Sequence, residues 1–151
     1  MFFEYCFTIL VNKKGEKMNN SRGSEWSQWD LHVHTSSSYD YDYRAENADE
    51  LLVKAWRDND IKAVAVTDHF KIDGKRIKAL REMVNDEIVI FPGVELRVDK
   101  ASSNLHVILI FSEKDDVESL ANDFQVVMRD REANASDKDE TIYWDFNKVV
   151  E

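Results

Sequence analysis

Stretches of apolar residues, most of them ending in a polar and chemically capable tail, set the rhythm of this chain. Trp29–Thr35 (WDLHVHT) alternates in character, and a period of two is that of a strand with side chains on opposite faces. Asp30, His32 and His34 then share one face, with Leu31 and Val33 on the other. Ala63–Val66 and Val107–Phe111 are unbroken apolar runs and read as fully buried strands of a parallel sheet. The first runs into Thr67-Asp68-His69, and the second opens at His106. Ile88–Phe91 reads as a third strand stopped by Pro92-Gly93. Val94–Val98 resumes with strict alternation, which sets Glu95 and Arg97 on one face.

Helical spacing falls between these runs. A helix is expected from about Ala48 to Asn59, with Asn47 as its N-cap and Asp49 and Glu50 in its first turn. Its buried stripe would be Leu51, Leu52, Ala55 and Trp56. After a turn at Asp73-Gly74, a second helix from about Lys75 to Asn85 carries Ile77, Leu80 and Val84 inward. A third, about Asp115 to Met128, turns Val117, Leu120, Phe124 and Val127 inward. Residues 131–151 read as a polar linker and the start of a further helix. The order βαβαββα indicates an α/β fold with a parallel sheet or barrel, and only the front half of one.

Composition narrows the class. A chain of 151 residues allows one domain with a respectable core. Its net charge of −10 argues against bulk attraction to nucleic acid or an anionic membrane. The single Cys6 excludes an internal disulfide framework and fits a reducing compartment, so the cytoplasm is expected. Residues 2–11, apolar apart from Glu4 and Thr8, are too short to span a bilayer and lack the basic flank of a signal peptide. Residues 1–21 read as a disordered or mis-annotated leader. Lys13-Lys14-Gly15-Glu16-Lys17 before Met18 is what purine-rich DNA ahead of a start codon yields in frame, so Met18 is the expected start.

The four histidines carry the chemistry. Two imidazoles a pleat apart on a strand can converge on one metal ion, and His69 and His106 flank the two buried runs. Donors at the ends of several strands are what an α/β barrel uses to build a site at its rim. Lys71, Lys75, Arg76, Lys78 and Arg81 form a basic run after His69, read as a solvated helix face in preference to a phosphate-steering patch. Arg97, on the face of Glu95, can contact an anion such as phosphate or pair with a carboxylate.

Taken in order, Asp30-Leu31-His32-Val33-His34-Thr35, Ser38-Tyr39-Asp40, Thr67-Asp68-His69, Pro92-Gly93-Val94-Glu95 and His106-Val107-Ile108 resemble the first motifs of the PHP domain, the polymerase and histidinol phosphatase superfamily. The resemblance covers roughly residues 22–112, and Arg22–Trp29 looks like the lead-in of PHP domains heading SMC/AAA-like ATPases. It implies the front half of a distorted (β/α)7 TIM-like barrel with two to three divalent metal ions (Mn, Zn or Fe). By position, His32 and His34 would ligate one metal, with Glu95 bridging it to another. Asp40 and His69 would belong to the other sites, and His106 to the third metal or the substrate. Asp68, the catalytic assignment, would orient a ligand or a metal-bound water. The ligand set holds no thiolate, which suits those metals.

The implied activity is a metal-dependent phosphoesterase, hydrolysing a phosphate ester by metal-bound hydroxide. Against the family pattern, nothing after His106 supplies a histidine or cysteine, so no later Asp-x-His follows it. The expectation is therefore a truncated PHP domain with an incomplete site. Two other readings stand beside it: a nuclease-like head of a nucleic-acid-acting ATPase, and a non-catalytic PHP module kept for interaction. The expected partners are a phosphorylated substrate, a nucleic acid, a second copy of the chain or a C-terminal ATPase portion that this chain lacks, with no membrane.

Overall fold

The apolar runs assemble into one mixed sheet. The structure is a computed structural model that describes residues 6–10, 26–98 and 105–129. Its elements in chain order are β1 (Cys6–Leu10), β2 (Gln28–Val33), α1 (Ala48–Asp58), β3 (Ile61–Val66), α2 (Gly74–Val84), β4 (Val89–Val98), β5 (Leu105–Ile110) and α3 (Val117–Arg129). The strand order is β1-β5-β4-β3-β2, and strands β2–β5 curl into a half-barrel. Strand β1 lies where the sequence predicted no element and pairs in parallel with β5. The expected start at Met18, the 131–151 linker and the Arg22–Glu25 lead-in lie outside the described residues.

Strand β4 corrects two expectations at once. Pro92-Gly93 does not stop it, because this is where β4 changes neighbours. Val89–Pro92 pair in parallel with β3, and Gly93–Val98 pair antiparallel with β5. Pro92 has no N–H to offer the ladder, but its carbonyl accepts the Phe111 N–H at 2.8 Å. At Gly93 a side chain would meet the Leu109 carbonyl oxygen at 2.8 Å and Thr67 Cγ2 at 2.9 Å, so only glycine fits the crossing. The sheet is therefore not all parallel. An apolar run such as Val107–Phe111 reads alike in either direction, which is why its pattern could not tell them apart.

The helices pack on one face of the sheet. Val64, Val66, Ile90, Val94, Leu96, Val98, Val107 and Leu109 meet Val53 and Trp56 of α1, Ile77, Leu80 and Val84 of α2, and Val117, Phe124 and Met128 of α3. Each such side chain contributes roughly 1.5–3 kcal/mol when fully buried. The opposite face holds a smaller cluster, Ala65, Ile108 and Ile110, with Leu31 and Phe91 against it. Two helical stripes are rotated from expectation. Val53 faces the core while Leu51 and Ala55 face solvent, and Met128 replaces the exposed Val127.

Local chemistry explains the helix starts. Asn47 precedes α1 but makes no side-chain capping bond; its Oδ1 accepts the Tyr43 hydroxyl instead. Asp73 caps α2, accepting the Arg76 N–H at 3.1 Å. No helix among the described residues is long and apolar enough to cross a membrane.

Candidate metal centre

The polar tails of the strands meet at one end of the curled sheet. His32 and His34 come from the end of β2, His69 follows β3, Glu95 lies within β4, and His106 stands at the start of β5. Strict alternation in β2 does not hold. The β2–β3 register shifts between Asp30 and Val33, so Leu31 packs on the smaller cluster and Val33 in the helix-side core. An irregularity of this kind re-aims side chains near functional sites. Asp30 stays outside the centre and accepts the His32 backbone N–H at 3.3 Å.

Glu95 is the hub. It is 2% exposed, and its Oε2 lies 2.7 Å from His32 Nε2 and 2.8 Å from His34 Nε2. Its Oε1 contacts His106 Nδ1. Burial alone would raise its carboxyl pKa, but the three imidazoles around it hold it far below the usual range. Backbone pairing fixes its place: the Glu95 N–H donates to Asp68 O at 3.2 Å, and Glu95 O accepts the Phe70 N–H at 2.9 Å. Phe70 adopts φ 54°, a left-handed conformation unusual for a bulky residue, directly after His69.

A second group shares His34. Its Nδ1 lies 3.2 Å from Asp40 Oδ1, and Asp40 Oδ2 lies 3.2 Å from His69 Nε2. Asp40 also accepts the Ser38 hydroxyl at 2.6 Å. Burial opposes its ionisation, yet Ser38 and His34 hold its pKa below the ordinary value. His34 goes the other way: burial disfavours its charge, but Glu95 and Asp40 raise its pKa to about 9. His69 is buried, which lowers its pKa. Its Nδ1 has no hydrogen-bond partner among the described residues.

The donor set fits a cation. His32, His34 and Glu95 form one group of donors lying within 4.8 Å of one another, and His34, Asp40 and His69 form another. His32 Nε2 and His34 Nε2 stand 3.0 Å apart, both against the same carboxylate oxygen. Two imidazole nitrogens and a carboxylate oxygen that converge in this way could hold a divalent ion. A tetrahedral ion spaces such donors by about 3.3 Å, a few tenths of an ångström wider than here. Imidazole and carboxylate are both groups that ligate divalent cations.

The remaining predicted residues surround this centre without joining either group. His106 reaches it through Glu95 Oε1. Asp68 turns both oxygens to Thr35, accepting its N–H at 2.6 Å and its hydroxyl at 2.7 Å; it fixes the chain just after His34. Arg97 lies on the Glu95 face as expected and donates to the Tyr39 hydroxyl at 2.6 Å.

Tyr39, within the Ser38-Tyr39-Asp40 stretch, stacks on His69 with ring centroids 4.7 Å apart. Arg76, read as part of a solvated face, is instead tied to Ser37 at 2.8 Å and to Asp49. No signal in the sequence marks either partnership, since both depend on contacts between segments distant in the chain. No protein-family model matches the chain, and no curated protein matches it.

Proposed function

We propose that this chain is a PHP-type domain that binds divalent cations and hydrolyses a phosphate ester. The observation that carries the proposal is the sharing of one buried Glu95 oxygen by His32 and His34, with Asp40 and His69 adjoining through His34. The curl of β2–β5 with its helices on one face supports the front half of a distorted (β/α)7 TIM-like barrel as the finer architecture.

In this reading His32, His34 and Glu95 hold one cation, while Asp40 and His69 belong to a neighbouring site. Bound there, a divalent cation supplies Lewis acidity toward a phosphoryl group and lowers the pKa of water toward neutrality. The two carboxylates balance the cationic charge, and the buried Glu95 keeps its donor oxygen ionised at any physiological pH. Arg97 offers a guanidinium for a phosphate oxygen, its direction set by Tyr39. Asp68, through Thr35, holds the position of His34.

The test is metal content of the purified protein by mass spectrometry, beside a His32→Ala/His34→Ala variant, followed by phosphate release from aryl phosphate mono- and diesters. Retention of Mn, Zn or Fe that the variant loses, with hydrolysis that follows the metal, is the expected result. A wild-type chain that takes up no divalent cation would end the proposal. Cation uptake without hydrolysis would leave a metal-binding module and remove the enzymatic part.

A further inference from the structure

The loop between β2 and α1 grips His69 at three points. The Ser38 hydroxyl oxygen accepts the His69 backbone N–H at 3.3 Å, the Tyr39 ring stacks on the imidazole, and Asp40 Oδ2 lies 3.2 Å from Nε2. This loop belongs to no strand or helix, so its backbone needs something to fix it. Arg44 does so from outside. One of its guanidinium nitrogens donates to Ser36 O at 3.1 Å, and the other to Ser38 O at 2.8 Å and to Tyr39 O at 3.0 Å.

We infer that Arg44 is a positioning residue: by gathering the carbonyls of Ser36, Ser38 and Tyr39, it presents Asp40 and Tyr39 to His69 and so completes the second cation group. A planar fork with five donors can bind three convergent carbonyls at once, whereas a lysine ammonium is a single point on a flexible stem. The side chain is exposed and touches none of the donor atoms, so its effect on cation binding passes through the loop. The inference rests on the proposed metal centre for its functional consequence, but the loop geometry stands without it.

The experiment titrates the full chain with Mn(II) alone, for wild type, Arg44→Ala and Arg44→Lys, and follows backbone amide exchange of the metal-free proteins in parallel. Arg44→Ala should weaken one class of Mn(II) site about 10–100-fold, the range for loss of a residue supporting a ligand. The class containing His32 and Glu95 should keep its affinity. Arg44→Lys should fail to restore the loss, and added ethylguanidinium should restore it in Arg44→Ala.

In the metal-free protein, exchange at the Ser38 amide, which donates to Thr35 O at 2.9 Å, should speed up in Arg44→Ala. Equal weakening of all Mn(II) classes, or of none, would overturn the inference, as would unchanged Ser38 exchange. A wild type that binds no Mn(II) would sink the metal centre, and the exchange result would then decide on the clamp by itself.

Discussion

Asp68 and Thr35 are joined twice, by a backbone N–H at 2.6 Å and a hydroxyl at 2.7 Å, and both residues are buried. Burial raises the Asp68 pKa, and the two Thr35 bonds work against that rise. Asp68→Ala leaves two buried donors without an acceptor. It should cost about 3 kcal/mol, read as a lower urea midpoint with an unchanged slope. A midpoint equal to that of the wild type would show that this pair does not hold the end of β2.

The protonation of His34 sets a pH dependence. Its pKa rises from 6.5 to about 9 in the metal-free fold. A raised folded value means the bound proton stabilises the metal-free protein fully below the unfolded value of 6.5. That contribution disappears as pH climbs through about 9. A cation must displace the same proton, so Mn(II) affinity should increase with pH across this window, with protons released to buffer. Calorimetry in two buffers of different ionisation enthalpy measures the release, and pH-independent binding would contradict it.

Asp73 governs an acid limb instead. Burial opposes its charge, but Ser37, the Arg76 N–H and Lys71 together hold its pKa below 3.8. A depressed folded value contributes stability that is present above 3.8 and lost as pH falls through the folded value. Asp73→Ala should cost about 1 kcal/mol as a lost helix cap and flatten the acid limb of the unfolding curve. If the acid limb keeps its slope in the variant, other carboxylates set it.

Gly93 offers a steric test. Gly93→Ala drives a methyl to within 2.8 Å of the Leu109 carbonyl and 2.9 Å of Thr67 Cγ2. The crossing of β4 from β3 to β5 must then widen, at a cost of about 1–3 kcal/mol. Thermal unfolding several degrees lower than the wild type is the expected reading. An unchanged transition would mean that the strands separate there without penalty.

Sequence patterns made the local elements legible where burial is one-sided. Ile77, Leu80 and Val84 read as the inner face of α2 because they fall on one helical stripe, which leaves Met83 exposed. In α1, Leu51 and Val53 are both apolar, and only packing against the sheet chose Val53. The centre was legible for a different reason. His32, His34, His69, Glu95 and His106 sit in strands or just beyond their ends, and the sheet brings their side chains together, while Asp40 reaches them from the β2–α1 loop. What stayed hidden were partnerships without a local pattern: Tyr39 over His69, Arg76 with Ser37, and the direction of β5.

The antiparallel pairing of β4 with β5 has a consequence for the order in which this protein assembles. His106 and Glu95 are only 11 residues apart in the chain, while His32 is 63 from Glu95. Closing the short loop costs less chain entropy than closing the long one, so the Glu95–His106 side is available first. The arrival of β2 at the edge of the sheet then finishes the donor set. A cation that binds only the finished set lends its binding energy to that last docking step. If the chain holds such a cation, stripping it should loosen β2 before β5, a sequence that amide exchange along the two strands can read.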